Sequence, residues 1–178
     1  GTNQLWVDYI YLDTDERRRF AQTSHEYLIE QLQFTGVETL VATANTKNVN
    51  LNFNHPVKEL IWVARDGDTI GKPGDALYDP GNFTYNNGQR SAAVNPIEKV
   101  VLQLNGHERF AERTGAYFNW VQPYQHHTNS PREGINVYSF ALKPEEHQPS
   151  GTCNFSRIDN AILKVTHKAV TGGGKLYV

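Results

Sequence analysis

The sequence has 178 residues, the length of one domain that can bury most of its apolar side chains in a single core. Its formal net charge of -2 gives no long-range field that would gather nucleic acid or an anionic membrane. No run approaches the roughly 20 apolar residues of a membrane span, and the first residues lack the order of a signal peptide. A single cysteine excludes an internal disulfide, and the absence of methionine indicates a processed chain or a piece of a longer one.

Short apolar runs recur along the chain, separated by Gly, Pro, Asn and Asp. Alternation with period two is typical of half-buried antiparallel strands, and it is clearest in residues 48–54, where Val49, Leu51 and Phe53 alternate with asparagines. Residues 26–34 also fit a helix. The predicted strands are residues 5–12, 26–34, 48–54, 57–65, 97–106, 135–142, 152–156 and 160–167.

The connections between these strands contain two long polar stretches. Residues 66–96 form a run of turn-forming residues, far longer than the usual connection of about 4–6 residues, which favours a functional loop. A second polar stretch follows residue 106. Seven or eight short strands with long end loops predict an all-β, antiparallel β-sandwich of jelly-roll topology, with one or two short helices in its connections.

The charged run LDTDERRRFAQ, residues 12–22, predicts one of those helices. Asp13, Thr14 and Asp15 offer N-cap oxygens, and acids precede bases as the helix dipole favours. Phosphate binding is disfavoured, because three acids adjoin the arginines and no aromatic stacking platform accompanies them. The residues that carry most of the charge are Glu16, Arg17, Arg18 and Arg19.

Paired carboxylates occur in three turns, but none lies near an apolar pocket that would raise one pKa as acid-base catalysis requires. We interpret these pairs as solvated turn residues: Asp13 with Asp15, Asp66 with Asp68, and Glu145 with Glu146.

His126 and His127 are the most metal-like feature of the sequence. Neighbouring residues on an extended chain point to opposite sides, whereas ligand pairs usually have at least one residue between them. Cys153 lies in a predicted strand, with no histidine close in sequence, and is interpreted as a small buried side chain. The sequence therefore predicts no catalytic residue, no cofactor and no metal.

Two tripeptides match the pattern of an N-glycosylation acceptor, at Asn82 and Asn154. Asn82 lies in a predicted loop and is the accessible candidate, whereas Asn154 lies in a predicted strand. Because no signal segment precedes them, the sequence favours modification of neither.

Four strings, LWVDYIYLDTDERRRFAQTSHEYLIEQLQ, FNHPVKELIWVAR, NVYSFALKPEEHQPSGTCNFSRIDNA and the closing KLYV, resemble one known family. They are similar to the second, C-terminal jelly roll of the major capsid protein of large eukaryotic double-stranded DNA viruses, the phycodnavirus, iridovirus and mimivirus group. The resemblance covers residues 5–178 and is weakest through 66–96 and 126–131. Family members usually continue beyond KLYV to complete the last strand.

The resemblance implies that residues 1–178 are one jelly-roll domain, the C-terminal half of a double jelly-roll protein, cut before the end of its last strand. It implies a homotrimer, forming a pseudo-hexagonal capsomer in the outer icosahedral capsid of the virion, with neighbouring capsomers and minor capsid proteins as partners. Direct binding of nucleic acid and insertion into a membrane are not implied. Synthesis and assembly would take place in the cytoplasm of the infected host cell, and the protein would not be an enzyme.

Carried over to this sequence, the resemblance places residues 13–20 beside the first strand, available for contacts between subunits through Glu16, Arg17, Arg18 and Arg19. It makes residues 66–96 an outward-facing insertion. It also makes the turn after residue 143 and the short strand that follows it a brace for the sandwich, with Arg157 and Asp159 as candidates for a structural ion pair.

Two other functions remain open at this point. A jelly roll that binds carbohydrate would use aromatic residues of the long loop, with Tyr78, Phe83 and Tyr85 as the stacking candidates. A metal-dependent jelly-roll enzyme would use His126 or His127.

Overall fold

The computed structural model describes residues 3–41, 44–65, 95–168 and 174–178. The chain divides into two compact units, Gly1–Gln31 and Leu32–Val178. In the first unit, the regular element is helix α1, Thr14–Gln22. Nearly all of the predicted long loop, residues 66–96, lies outside the described residues.

The second unit is built mainly of antiparallel strands. In the described residues these are β1 Val37–Leu40, β2 Thr46–Asn50, β3 Pro56–Val57, β4 Glu59–Arg65, β5 Ile97–Leu104, β6 His107–Glu108, β7 Arg113–Thr114, β8 Ile135–Ser139, β9 Cys153–Asn154, β10 Ala161–His167 and β11 Gly174–Tyr177.

The strands form two main sheets. One has the order β1-β11-β4-β8, and the other has the order β2-β10-β5-β6, with β7 also paired to β5. Strands β3 and β9 pair separately. The late strand β11 therefore lies between β1 and β4, with Val37 opposite Tyr177 and Leu176 opposite Ala64. The first and last described strands are neighbours, as in a jelly roll.

Alternating burial explains why the two sheets stack on each other. Along β10, Ala161, Leu163, Val165 and His167 are buried, while the residues between them are more exposed. In a strand, alternate side chains face opposite sides of the sheet. The apolar faces of both sheets contribute to one core, whose most buried members include Leu40, Trp62, Leu176, Val49, Val100, Leu102 and Leu163.

Several strands were correctly predicted, and the observed strands are shorter than the predicted ranges. Residues 57–65, 97–106, 135–142 and 160–167 contain β4, β5, β8 and β10. The short strand near residue 153 is confirmed as β9, followed by a 3-10 helix at Phe155–Arg157. The predicted strand 48–54 overlaps β2, which ends at Asn50.

Two predicted strands are wrong. Residues 5–12 and 26–34 form no strand, and Trp6, Ile10 and Leu32 are exposed. Alternation of side chains alone does not make a strand, because the backbone also needs a partner for its hydrogen bonds. No described strand pairs with either segment. The first strand of the sheets is β1, which the sequence analysis missed.

The polar stretch after residue 106 contains more structure than predicted. Asn105 and Gly106 have φ of 51° and 81°, which suits the two-residue hairpin turn between β5 and β6. A π-helix, Tyr117–Val121, continues directly into α2, Gln122–His126. Within the described part of the chain, no helix has the length and apolar character to cross a membrane.

Candidate functional site

Helix α1 is the charged element that the sequence singled out, and its predicted cap is confirmed. Asp13 Oδ1 accepts a hydrogen bond from the Glu16 amide at 2.8 Å, and Glu16 Oε2 accepts one from the Asp13 amide at 3.3 Å. This reciprocal pair is a capping box, which satisfies two donors at the start of the helix. At the other end, Thr23 donates to the Arg19 carbonyl from both its amide and its hydroxyl.

The arginines of α1 are largely available for external contacts. Arg18 lies 3.3 Å from Asp15, and both side chains are exposed, so this ion pair adds little stability. Arg17 and Arg19 are exposed and form no ion pair with any described residue. No residue of the helix is buried. Guanidinium groups of this kind are enriched at protein interfaces, so α1 is the candidate contact element.

An aromatic group follows α1 in the same unit. The rings of Phe20 and His25 stack with centroids 5.0 Å apart, and Tyr27 lies 6.4 Å from His25. His25 Nε2 is 2.9 Å from the Phe20 carbonyl oxygen. These contacts hold the chain where it leaves the helix, and the side chains of Phe20 and Tyr27 are exposed.

The two adjacent histidines point to different partners. His126 Nδ1 lies 3.0 Å from the Leu142 carbonyl oxygen. His127 lies between two carboxylates, with Nε2 2.9 Å from Glu59 Oε2 and Nδ1 3.1 Å from Glu145 Oε1. The described residues contain no group of three His, Cys, Asp or Glu residues with metal-binding geometry. Each ring nitrogen of His127 thus lies close to a carboxylate oxygen.

The predicted carboxylate pairs have different surroundings. Asp66 and Asp68 lie outside the described residues. Glu146 lies 3.2 Å from Lys143 in an exposed ion pair. Glu145 instead accepts a hydrogen bond from the Thr128 amide at 3.0 Å, and hydrogen bonding from Thr128 lowers the pKa of Glu145. Its contact with His127 was not predicted from the sequence.

Cys153 is partly buried in β9. Burial raises the pKa of its thiol, although the nearby Arg109 acts in the opposite direction. Because the thiolate is the reactive form, this environment makes Cys153 a poor nucleophile. The Cys153 side chain packs against the hydrophobic core.

Other predicted positions are placed as follows. Asn82, Tyr78, Phe83 and Tyr85 lie outside the described residues. No ion pair in the described residues joins Arg157 to Asp159, and their pairing stays a prediction. The backbone at Asp159 and Asn160 is held by Asn105, whose Oδ1 accepts hydrogen bonds from the Asp159 amide at 3.0 Å and the Asn160 amide at 3.1 Å.

Two amide side chains cover the outer edge of β8, a feature that the sequence analysis missed. Asn119 donates to the carbonyl oxygens of Ile135 at 2.7 Å and Arg132 at 3.2 Å. Gln122 accepts from the Ser139 amide at 3.0 Å. Both amides are almost fully buried. They therefore occupy backbone groups that an exposed edge would offer to another chain.

These features define a structural class before any family is considered. The unit from residue 32 onward is a jelly-roll β-sandwich, and no residue of the charged helix α1 is buried. The chain belongs to the family described as large eukaryotic DNA virus major capsid protein, whose family model matches residues 16–174.

Individual relatives support the same assignment. The chain is 55% identical to the major capsid protein of Pyramimonas orientalis virus, over 90% of this chain and 40% of that protein. It is 48% identical to the major capsid protein of Paramecium bursaria Chlorella virus 1, over 94% of this chain and 42% of that protein. The chain thus spans less than half the length of these two relatives.

Solved structures agree with the fold. A quasi-atomic model of the PBCV-1 virus capsid matches with a TM-score of 0.74 and 40% identity, over 95% of this chain and 51% of that chain. The Faustovirus major capsid protein matches with a TM-score of 0.67 at 15% identity, over 80% of this chain and 30% of that chain, which supports the fold alone.

Proposed function

We propose that this chain is the C-terminal jelly roll of a double jelly-roll major capsid protein, which acts as a structural protein of an icosahedral virion shell. The observation that carries the proposal is the 55% identity to a capsid protein of which this chain spans 40%. The solved capsid match covers 51% of its chain, which leaves room for a second domain of similar size. The shell protein would work by packing and reversible contact rather than by chemistry.

In the proposed full-length protein, residues 5–12 would have strand partners. In that segment Leu5, Val7, Tyr9 and Tyr11 alternate with Trp6 and Ile10, so both faces are mostly apolar. Apolar residues on both faces are typical of a strand that is covered on both sides. In the proposed protein, strands of the upstream jelly roll would pair with this segment and bury these side chains. The match to the family model begins at residue 16 and therefore does not include residues 5–12.

We further propose that three copies associate into a pseudo-hexagonal capsomer, and that α1 contributes to contacts between copies. Exposed Arg17 and Arg19 have no ion-pair partner within the described residues, and Arg18 has only a weak one. Charged, solvated contacts of this kind suit an interface that forms and dissociates during assembly.

The test replaces Arg17, Arg18 and Arg19 together with Ala in the full-length capsid protein. We expect the trimer fraction, measured by size-exclusion chromatography with light scattering, to fall by at least about 10-fold at limiting concentration, which equals about 1.4 kcal/mol of association free energy. The midpoint of urea unfolding should change little, because these side chains are exposed.

A matched control replaces three exposed lysines, Lys143, Lys164 and Lys175, with Ala. It removes the same charge from the other unit and should leave trimers intact. If the arginine variant loses folding stability while its trimer fraction stays at the native level, α1 does not contribute to assembly.

Neighbouring capsomers and minor capsid proteins are the proposed further partners, and the cytoplasm of the infected cell is the proposed place of assembly. Crosslinking of purified virions, followed by mass spectrometry of the linked peptides, tests the partners. Immunoelectron microscopy of infected cells tests the place, since capsid intermediates confined to the nucleus would contradict it.

A further inference from the structure

The side chains of Glu59 and Glu145, from separate parts of the second unit, both meet the side chain of His127. Glu59 is the first residue of β4, His127 directly follows α2, and Glu145 lies in the turn formed by residues 143–150. The His127 side chain is 14% exposed and that of Glu59 is 24% exposed. We call these three residues, Glu59, His127 and Glu145, the clasp.

The Glu145 side of the clasp is well satisfied. Glu145 Oε2 accepts from the Thr128 amide at 3.0 Å, and Oε1 lies 3.1 Å from His127 Nδ1. Hydrogen bonding from Thr128 holds the pKa of Glu145 below its usual value. Glu145 is therefore an ionised acceptor near neutral pH, and its Oε1 can accept a hydrogen bond from Nδ1 when that nitrogen carries a proton.

The contact between Glu59 and His127 needs a proton between its two atoms. Glu59 Oε2 and His127 Nε2 are both buried from water, they lie 2.9 Å apart, and neither has a well-aligned hydrogen-bond partner among the described residues. A neutral imidazole carries only one N–H, and Glu145 already engages Nδ1. When the single N–H is on Nδ1 and faces the ionised Glu145, two lone pairs therefore face each other in this gap.

Burial raises the pKa of Glu59 from its usual value, while His127 opposes this effect. Other titratable or charged groups on the surrounding elements are Lys58 beside Glu59, His126 beside His127, and Lys143, Glu146 and His147 in the turn. Lys58 Nζ donates to the carbonyl oxygens of Glu146 at 2.6 Å and His147 at 3.4 Å, which gives the turn a tie that does not involve the clasp.

We propose that the clasp is a proton-dependent fastening that holds the end of α2 and the turn of residues 143–150 to the start of β4. With one proton in the gap between Glu59 and His127, both carboxylates are joined through the ring. As the pH rises and that proton leaves, the buried carboxylate and the ring nitrogen repel each other, and this side of the clasp opens. The opening is local, because Lys58 and the strand pairing of β4 with β8 remain.

The test is amide hydrogen exchange of the full-length protein at pH 6.0 and pH 8.5, corrected for the intrinsic rate at each pH. We expect protection of residues 127–128 and 143–150 to be roughly 10-fold or more greater at pH 6.0, the scale of one charged hydrogen bond. Glu59→Gln is the decisive variant, because its amide can donate to Nε2 at any pH. It should keep the protection at both values and abolish the difference between them.

Two further variants separate the clasp from general effects. His127→Ala should lose the protection at both pH values, and His107→Gln, which changes an exposed histidine outside the clasp, should behave like the native protein. If native protection is the same at both pH values, or if Glu59→Gln retains the native pH difference, the proposal is overturned.

Discussion

Asn119 offers a direct test of how the outer edge of β8 is closed. In Asn119→Ala, the part-buried carbonyl oxygen of Ile135 loses the donor at 2.7 Å, and an acceptor left without a partner costs about 1–3 kcal/mol. The Arg132 carbonyl oxygen loses a second bond at 3.2 Å but keeps the Ile135 amide at 3.3 Å, so its loss is nearer 1 kcal/mol. We expect the free energy of unfolding to fall by about 2–4 kcal/mol in total.

The measurement is urea unfolding of the full-length protein, followed by tryptophan fluorescence, with the native slope retained. Asn129→Ala is the matched control, because Asn129 is exposed and, among the described residues, its side chain donates only to the neighbouring Thr128 hydroxyl. The control should change stability by no more than about 0.5 kcal/mol. If Asn119→Ala costs no more than Asn129→Ala, the amide does not close the edge, and the reasoning fails.

One substitution and one measurement of thiol reactivity test the packing of the second unit. Gly115→Ala would place a methyl group against the Ile97 carbonyl oxygen of β5, and we expect it to lower the free energy of unfolding by about 2 kcal/mol or more; an unchanged urea midpoint would contradict this. Cys153 should react with an aromatic disulfide reagent at pH 8 roughly 10-fold more slowly than free cysteine, because its raised pKa leaves less thiolate and the side chain is partly buried. Unfolding in urea should restore the rate of the free thiol, and a native rate equal to that of free cysteine would refute the expectation.

The sequence predicted the elements whose own residues determine their structure. Residues 160–167 alternate in polarity, and β10 follows them closely. Helix α1 could be predicted from its local cap, because Asp13 and Glu16 are three residues apart and satisfy each other. The cap of α1 is a local interaction, and the alternation along β10 is a pattern common to strands with one buried face.

The rest depends on contacts between distant residues. The strand β1, with sequence VETL, has only two apolar residues, and its pairing with β11 makes it a strand. Residues 5–12 have the stronger strand pattern, yet no described strand pairs with them. Likewise, Glu59, His127 and Glu145 are far apart in sequence, and the fold brings them together. His127 is notable in the sequence, but the identity of its two carboxylate partners depends on the fold.

The position of β11 bears on how the protein is made. Val37 pairs with Tyr177, roughly 140 residues later, and contacts of such high separation are slow to form. On the ribosome, β4 and β8 emerge well before β11, so the inner edge of β4 has no partner during that interval. The exposed edge of a hydrophobic strand is prone to pair with other chains. Nascent chains translated close together on one messenger would therefore be most vulnerable to aggregation just before β11 leaves the exit tunnel.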